Sequence, residues 1–440
     1  MPGEQAARDD DAEAEPAAVV GPSKPRLLRV LGPGLITGAS DDDPSGIATY
    51  SQVGAQFGYA LGWTLLFSYP LMVAIQIISA RIGRTTGRGI AGVLRQHYSP
   101  WLLHGTVTLL LLANTINLGA DLGAMADAMG LLLPLPRAVS IMLFAGACIY
   151  MQVFLQYTRY VALLKWLALA LFAYLAALMT VHLDWRALAS GLTIPKFSAR
   201  ADYLTAIVAV FGTTISPYLF FWQSAEEVED MRVDPRRTEL LRAPDQGDAA
   251  LRRIELDTFV GMAFSNIVAL AILVTTAATL HASNVTDVQT SAQAAEALRS
   301  IAGNFSFAVF ALGIIGTGLL AVPVLAGSGA YALGEALRWP RGFSRRWRDA
   351  KAFYATVILA TLVGMAMNFA GVNPIKALFW SAVLNGIVAV PVMVTMMRMA
   401  ARPDIMGRFA IGGWLYGVGW AATLVMGLTV LGLCASVFLG

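Results

Sequence analysis

The fold is decided by residues 27–58, which read LLRVLGPGLITGASDDDPSGIATYSQVGAQFG. The aspartates Asp41–Asp43 stand in the middle of an apolar segment that is long enough to cross a bilayer. A carboxylate at the bilayer centre costs on the order of 2.5–3.5 kcal/mol, so three without partners would cost about 8–10 kcal/mol. Pro44 and Gly46 then interrupt the helix, and non-helical backbone at this depth survives only inside protein or beside a polar cavity. These residues predict a helix broken in mid-membrane; the alternative is a surface turn, DDDPSG, between two shorter segments.

The composition excludes several classes of protein. The chain has 440 residues, of which 57% are hydrophobic and only 13% are charged, and its mean hydropathy is +0.63. Such a chain cannot cover itself with a polar surface in water, so a soluble enzyme and a nucleic-acid-binding protein are excluded. The two cysteines, Cys148 and Cys434, lie in apolar runs, which excludes a disulfide-rich secreted protein. We expect the chain to lie in a lipid bilayer and to have no nucleic-acid partner.

Apolar stretches of membrane-spanning length indicate eleven transmembrane helices, because about 20 helical residues cross the hydrocarbon core. Residues 1–25, which precede these stretches, are polar and acidic and predict a disordered cytoplasmic tail. The third and eighth stretches are longer than one straight crossing needs. The predicted spans are residues 28–54, 60–83, 101–133, 137–157, 160–182, 203–224, 257–281, 304–336, 352–370, 375–398 and 412–438.

Lysine and arginine mark one side of the membrane. If the N-terminus lies in the cytoplasm, 25 of the 31 lysines and arginines fall at the cytoplasmic ends of these spans. These residues normally accumulate on that side, and an odd or missing helix would scramble the bias. We therefore expect an integral protein of a bacterial-type inner (plasma) membrane, with its N-terminus in the cytoplasm and its C-terminus outside.

The sixth span carries a second interruption. Near its middle lie Gly212, Thr213, Thr214, Ser216 and Pro217. Spans one and six open consecutive sets of five, and interrupted segments at corresponding places of two halves indicate the central site of a transporter. Five spans per half give the halves opposite topology, which is an inverted repeat. The expected division is residues 26–185 for the first repeat, 201–400 for the second repeat and 401–440 for the final helix.

Polar side chains follow one face of the third span. Asn114, Asn117 and Asp121 are spaced so that they share this face. They line a central cavity or form a hydrogen-bonding seam between helices, and the sequence leaves both interpretations open.

Two further sets of titratable groups bear on function. None of the four histidines lies in mid-membrane, so a histidine proton relay or a histidine metal site is not expected. Four acidic residues just past the sixth span are interpreted as a solvated cytoplasmic face; the alternative is that they help the cation to leave. They are Glu226, Glu227, Glu229 and Asp230.

The two interruptions suit a cation, because carboxylates and carbonyl oxygens freed by a broken turn form a hard-oxygen site. Over most of residues 28–400 the sequence resembles the natural resistance-associated macrophage protein (Nramp) family of divalent-metal transporters. The matches are Asp43-Pro44-Ser45-Gly46 for the family's Asp-Pro-Gly-Asn, Ser216-Pro217-Tyr218 for its Met-Pro-His, and NPIKALFWSAVLNGIVAVP (373–391) for its tenth helix. The resemblance implies an all-α integral membrane protein with a LeuT-type 5+5 inverted repeat, in which helices 1 and 6 are broken mid-membrane.

Departures from the family pattern bear on the substrate. The family's asparagine becomes Gly46, which removes an oxygen ligand, and its histidine becomes Tyr218. Its methionine becomes Ser216, so a soft thioether is replaced by a hard hydroxyl that suits Mg²⁺ or similar ions. On the third helix, an aspartate and a glutamate linked to proton transfer are replaced by Asn117 and Ala120.

In these losses the sequence resembles the Nramp-related magnesium transporters, a branch thought to work without proton coupling. Asp41 and Asp42 match neither branch, although a wider acidic site fits Mg²⁺, which keeps several waters. Asp121 offers another route to proton coupling.

The resemblance and the residues together predict a secondary transporter that moves a divalent metal cation by alternating access. The expected type is a Mg²⁺ transporter with weak or no proton coupling; the alternative is a proton-coupled Mn²⁺ or Fe²⁺ transporter. A carrier of amino acids or organic cations is a rival with the same fold. Rivals of another class are a membrane-embedded metal-dependent enzyme and a non-transporting sensor. We expect no enzymatic activity, no cofactor other than the cation as substrate, and a monomer.

Asp43 is the expected principal metal ligand, with Asp42 and Asp41 binding directly or through water. By analogy to the family, the backbone carbonyls of Ser40 and Thr213 contribute, and Ser216 offers its hydroxyl. The residues expected around these ligands or along the ion pathway are Asn117, Asp121, Tyr218 and Thr214. The residues expected to break the helices are Pro44, Gly46 and Pro217.

Overall fold

The chain is helical, without strands, in the part that its structure, a computed structural model, describes: residues 37–38, 40–154, 172–298 and 303–439. The helices are Pro44–Phe57 (α1), Gly62–Thr86 (α2), Ile90–His97 (α3), Pro100–Leu132 (α4), Arg137–Phe154 (α5), Phe172–Leu178 (α6), Trp185–Thr193 (α7), Ala201–Thr214 (α8), Pro217–Val233 (α9), Gly247–Thr276 (α10), Ser291–Glu296 (α11), Ser306–Ala336 (α12), Lys351–Met367 (α13), Pro374–Ala400 (α14), Pro403–Met406 (α15) and Gly413–Leu439 (α16).

Nine helical stretches in these ranges are long and apolar enough to cross a membrane. One of them, Pro44–Thr86, holds the second predicted span and the described residues of the first from Pro44 onwards, because a short 3₁₀ turn over Gly58–Leu61 joins α1 to α2. The other eight correspond to predicted spans three, four and six to eleven. The predicted tail and most of the predicted fifth span, residues 160–182, lie outside the described residues.

The length of two spans confirms the prediction that they exceed a single straight crossing. Helix α4 has 33 residues and α12 has 31 residues. Helices of 33 and 31 residues measure about 50 and 47 Å at 1.5 Å per residue, against a hydrocarbon core of about 30 Å.

Both predicted helix interruptions are present, and they have the same form. Helical residues up to Asp41 are separated from α1 by two non-helical residues, and α1 begins at Pro44. In the same way α8 ends at Thr214, two residues follow, and α9 begins at Pro217. A proline suits the first helical position, where its missing N–H would have had no partner in the helix.

Burial separates central helices from peripheral ones. The most apolar part of the interrupted stretch Ala201–Val233 is 89% buried, whereas the corresponding parts of Arg137–Phe154, Lys351–Ala370 and Gly413–Val437 are about one third buried or less. The exposed apolar side chains of these peripheral helices suit contact with lipid. The second interruption therefore lies in the middle of the bundle.

Glycines allow the interrupted helices to approach their neighbours at backbone distance. A Cβ added at Gly38 would overlap the backbone of Gly261 in α10. A Cβ added at Gly212 in α8 would overlap the Ala382 carbonyl and lie 2.5 Å from the backbone nitrogen of Gly386, both in α14. Small residues of this kind are typical of close helix contacts within membranes.

The prediction of a solvated acidic face after the sixth span is wrong. Its four residues are between 1% and 8% exposed: Glu226, Glu227, Glu229 and Asp230. Glu227 pairs with Arg253 of α10 at 2.5 Å, and Glu229 accepts a hydrogen bond from the backbone N–H of Ser344, before α13. These partners come from distant parts of the chain, which local sequence does not show.

Candidate functional site

The two interruptions meet inside the bundle. An ideal Cβ on Gly46, in the first turn of α1, would lie 3.2 Å from the Thr213 hydroxyl and 3.3 Å from the Asp41 carbonyl oxygen. Across the same contact, the Tyr218 hydroxyl in α9 lies 3.4 Å from the carbonyl oxygen of Ser40. Residues on both sides of each break thus line one buried region.

Asp43 lies at the centre of this region, where it caps the N-terminus of α1. Its Oδ1 accepts hydrogen bonds from the Ser45 hydroxyl at 2.6 Å and from the Gly46 backbone N–H at 2.7 Å. Its Oδ2 accepts from the Asn117 amide at 3.0 Å and lies 3.4 Å from the Tyr218 hydroxyl. The side chain is 1% exposed, and every one of these donors is an uncharged group.

Asp41 and Asp42 face a different helix. The Ser265 hydroxyl of α10 lies 2.6 Å from Oδ2 of Asp41 and 3.3 Å from Oδ1 of Asp42. The other oxygen of each carboxylate is buried without a hydrogen-bond partner among the described residues. The three aspartates are consecutive in sequence, but the loss of helical backbone after Asp41 sends Asp43 towards α4 and α9 instead.

The hydroxyl groups at the second interruption donate hydrogen bonds mainly to backbone carbonyls of α8. The Ser216 hydroxyl donates to the carbonyl oxygens of Gly212 at 2.7 Å and Thr213 at 2.9 Å. The Thr214 hydroxyl bonds back to the Val210 carbonyl at 3.0 Å. Because a hydroxyl oxygen keeps acceptor lone pairs while it donates, Ser216 retains the capacity to bind a cation.

The polar face of α4 divides between the two interpretations left open by its sequence. Asn114 donates to the Leu325 carbonyl and to the Ser328 hydroxyl of α12, both at 2.8 Å, which is a seam between helices. Asn117 contacts Asp43 and belongs to the site. Asp121 is fully buried, and neither of its carboxylate oxygens has a hydrogen-bond partner among the described residues.

Two residues of this region were missed by sequence reasoning. Ser265 contacts the first two aspartates, and Ser381 of α14 donates to the Asn117 side-chain oxygen at 2.7 Å. Single serines in apolar helices usually bond to their own backbone, so their sequence positions carry little signal. The one available hint is that Ser381 lies within the stretch 373–391, which resembles the family's tenth helix.

A cavity of about 300 Å³ lies beside Ser381, between α4, α13 and α14. Its walls are mostly apolar and include Ile116, Met367 and Trp380. Ser381 lines this cavity and also hydrogen-bonds to Asn117, which contacts Asp43. The cavity therefore borders the proposed site at Ser381.

The chemistry of the region is that of a hard-oxygen site. Its oxygens are carboxylates, hydroxyls and backbone carbonyls, which suit Mg²⁺, Ca²⁺ or Mn²⁺ better than soft metals. Within the described ranges, no three histidine, cysteine, aspartate or glutamate side chains are grouped as a ready-made metal centre. A cation that binds Asp43 would displace at least one of its present donors, and the Tyr218 hydroxyl, at 3.4 Å, is the most weakly held.

Comparisons with known proteins agree on one family. The model of the family described as natural resistance-associated macrophage protein-like (Nramp) matches residues 34–436. A divalent metal cation transporter, MntH, of Burkholderia ambifaria is 27% identical over 410 residues, which cover 91% of this chain and 87% of the relative.

Solved structures show the same fold. A manganese transporter of Eremococcus coleocola, solved with an aromatic bis-isothiourea compound, superposes with a TM-score of 0.72 at 18% identity, covering 96% of this chain and 90% of that one. Mhp1, a nucleobase-cation-symport-1 family transporter, superposes with a TM-score of 0.53 at 14% identity, covering 96% of both chains. These neighbours confirm the predicted LeuT-type fold.

Proposed function

Because the chain belongs to the Nramp family, we propose that it is a secondary transporter that carries a divalent metal cation across the membrane by alternating access. The observation that carries the proposal is Asp43, a buried carboxylate at the meeting point of two interrupted helices, held only by uncharged donors. A passing cation supplies the positive charge that such a carboxylate lacks. The relatives reported above are named as transporters, which argues against the membrane-embedded enzyme.

Asp43 is proposed as the principal ligand, since it touches both α4 and α9. Asp42 and Asp41 take part directly or through water. Each has one carboxylate oxygen without a hydrogen-bond partner among the described residues, and this oxygen can bind the cation or accept a hydrogen bond from a water molecule. The carbonyls of Ser40 and Thr213 and the Ser216 hydroxyl complete the proposed set. Asn117, Tyr218, Thr214 and Asp121 surround it or line the pathway.

We propose Mg²⁺ as the preferred ion. Ser216 places a hydroxyl where the family has a thioether. The groups that hydrogen-bond to Asp43 are the Ser45 and Tyr218 hydroxyls, the Asn117 amide and the Gly46 backbone N–H. Mg²⁺ accepts oxygen ligands and retains waters, whereas a soft metal gains from sulfur. Because Asn117 cannot accept a proton as a carboxylate does, the proposed transport runs with weak or no proton coupling.

A proton-coupled Mn²⁺ or Fe²⁺ transporter is the second candidate, and one observation favours it. Asp121 is a fully buried carboxylate whose oxygens lack hydrogen-bond partners among the described residues, one turn beyond Asn117 on α4. Such a group could carry a proton in place of the family's acidic residues. The names of the relatives point the same way, since one is a manganese transporter.

The movement that we propose is a rocking of the interrupted helices against α4, α5, α12 and α13. We propose the topology that the sequence predicts, with the N-terminus in the cytoplasm and the C-terminus outside. The two proposed repeats are residues 26–185 and 201–400. The proposed working unit is a monomer in the bilayer, with the cation as substrate and no further cofactor.

Uptake by the purified protein in proteoliposomes tests the proposal. Mg²⁺, Mn²⁺, Ca²⁺ and Fe²⁺ are compared while the internal pH is followed, and Cd²⁺ is added as competitor. We expect Mg²⁺ uptake that Cd²⁺ slows little and that brings no acidification. Strong Cd²⁺ preference or one-for-one proton entry would favour the proton-coupled candidate, and a protein that moves none of these ions would not be a divalent-metal transporter.

Replacing Asp43 by asparagine tests the ligand. Asp43→Asn keeps the size and removes the charge, so we expect uptake to fall to the level of empty liposomes while the protein stays folded. The matched control is Asp245→Asn, an exposed aspartate before α10, which should transport normally. Normal uptake by Asp43→Asn would show that the ligand is elsewhere.

A further inference from the structure

The geometry points to Ser381 as a positioning residue for the cation site: through Asn117, its hydroxyl fixes the direction in which the second carboxylate oxygen of Asp43 is held. This inference rests on the proposed function. It concerns a residue on α14, a helix that sequence reasoning did not connect to the metal ligands.

Three groups from three different spans form one chain of hydrogen bonds. The Ser381 hydroxyl of α14 lies 2.7 Å from Oδ1 of Asn117 in α4. Nδ2 of Asn117 lies 3.0 Å from Oδ2 of Asp43, which precedes α1. All three side chains are 1% exposed or less, so water does not compete for these bonds.

The direction of the chain follows from what each group can do. A carboxylate without a proton only accepts hydrogen bonds, so Asn117 must turn its NH₂ group towards Asp43. Its side-chain oxygen then faces Ser381, and a hydroxyl is the group there that can donate to it. The Asn117 amide has two orientations that differ by a half-turn and have nearly the same shape. The Ser381 hydroxyl stabilises the one that turns the NH₂ group towards Asp43.

Loss of the Ser381 hydroxyl weakens this distinction. The buried oxygen of Asn117 would lose its donor, which is costly in a site shielded from water. The Asn117 amide would then be oriented by Asp43 alone, so it could rotate more freely and would donate less well to Oδ2 of Asp43. This second carboxylate oxygen would be held less firmly, and the cation would bind less tightly.

A purely local role for Ser381 is the rival explanation. The same hydroxyl lies 2.7 Å from the Leu378 carbonyl oxygen, one turn earlier in α14, and serines in membrane helices often make only this bond. Ser68 of α2 is a matched control, because it is fully buried and bonds in the same way to the Leu65 carbonyl at 3.2 Å. Among the described residues, Ser68 forms no hydrogen bond with the proposed ligands, so Ser68→Ala removes a local bond alone.

The experiment measures the concentration dependence of divalent-cation uptake in proteoliposomes for Ser381→Ala, Ser381→Thr and Ser68→Ala. We expect Ser381→Ala to raise KM about fivefold, the scale of one net hydrogen bond, with the maximal rate largely kept. Ser381→Thr, which retains the hydroxyl, should restore the normal KM, and Ser68→Ala should leave it unchanged. A normal KM in Ser381→Ala, or an equal rise in Ser68→Ala, would overturn the inference.

A double-mutant cycle tests whether Ser381 acts through Asn117. Asn117→Ala alone should raise KM, and adding Ser381→Ala to it should change KM no further. The same fivefold effect in the Asn117→Ala background would show that Ser381 acts independently of Asn117, against the inference. Should Ser381→Ala fail to fold, Ser381→Cys replaces it, and its weak S–H donor should give an intermediate KM.

The outcomes separate this inference from the proposed function. If the unaltered protein transports no divalent cation, both fail together. If it transports one and Ser381→Ala binds it normally, only the role of Ser381 is refuted.

Discussion

Ser216 shows how a single hydroxyl can serve both a helix and a site. It closes the end of α8 by donating to the carbonyls of Gly212 and Thr213, and its oxygen remains available as a hard ligand. The family's methionine at this position could make neither bond. In the site that we propose, the residue would therefore tie metal preference to the local structure of the second interruption.

Replacing Ser216 by methionine should shift selectivity towards soft metals. We expect Ser216→Met to increase the inhibition of Mg²⁺ uptake by Cd²⁺ at least tenfold, because a thioether binds Cd²⁺ better than a hydroxyl does. Competition assays in proteoliposomes measure this. Ser216→Ala removes the hydroxyl without adding sulfur and should not gain Cd²⁺ sensitivity; an equal gain in both variants would mean that sulfur ligation is not the cause.

At the scale of single residues, the sequence predicts which side chains lie close together but not the direction in which each of them points. The sequence predicts Asp43, Asn117 and Tyr218 in one region, and the structure places Asn117 and Tyr218 each within hydrogen-bonding distance of Asp43. The sequence predicts that Asp41 and Asp42 join Asp43 around one cation, directly or through water, but it does not show that both contact Ser265 on another side. A break in helical backbone sets side-chain direction by dihedral angles that residue types alone do not specify.

At the scale of helices, the contact between α8 and α14 depends on the absence of side chains. Gly212 and Gly386 face each other, and a Cβ on Gly386 would lie 2.8 Å from the Val208 carbonyl oxygen. Backbone atoms held in a helix cannot move aside as a flexible side chain can. Helix α8, which ends two residues before Ser216, and α14, which carries Ser381, are thereby held at a fixed, short separation.

Replacing Gly212 by alanine should force these helices apart. Overpacking typically costs about 1–3 kcal/mol, and here the obstacle is backbone, so we expect a lower unfolding temperature in detergent together with reduced uptake. Gly146→Ala in α5 is the matched control, since nothing lies within 4 Å of its added Cβ. That control should be neutral or slightly stabilising; unfolding of both variants at the same temperature would contradict the contact.

The positions of the two interruptions were predictable because proline and glycine act locally. Pro44 and Pro217 each begin a helix, as their missing backbone N–H requires. Helix pairing was not predictable in the same way. The contact of α8 with α14, and of Gly38 with Gly261 in α10, joins segments far apart in the chain, and several helices in this sequence contain glycines that could have served equally well.

At the scale of the whole molecule, a buried ion pair joins two helices that follow each other in the chain. Glu227 of α9 is 1% exposed and pairs with Arg253 of α10, whose side chain is 22% exposed. Removing one partner of such a pair leaves the other charge without compensation.

Glu227→Gln should therefore destabilise the protein. We expect a loss near the lower end of about 3–5 kcal/mol, because Arg253 retains some contact with solvent. Thermal unfolding in detergent measures the effect. Asp404→Asn breaks the exposed pair of Asp404 with Arg402 and should leave the unfolding temperature unchanged; equal effects in the two variants would show that burial of the Glu227 pair contributes nothing.

The architecture as a whole could be predicted to a large extent, because hydropathy and span length are strong physical signals. The described spans fall where the sequence placed them, including the two long ones, α4 and α12. The burial of Glu229 against the loop before α13 was missed, since burial of a charge depends on a distant partner. The orientation in the membrane stays a prediction from the distribution of lysine and arginine.

In the rocking movement that we propose, the split of the aspartate triplet would make residues 42–43 a hinge. On one side Asp41 is anchored to α10 through Ser265, and on the other Asp43 is anchored to α4 through Asn117. Any tilt of α10 relative to α4 must then lengthen or shorten the gap between these carboxylates. A cation bound between them would gain or lose coordinating oxygens with this tilt, so in the transport cycle that we propose its affinity would change with the same displacement that opens the site.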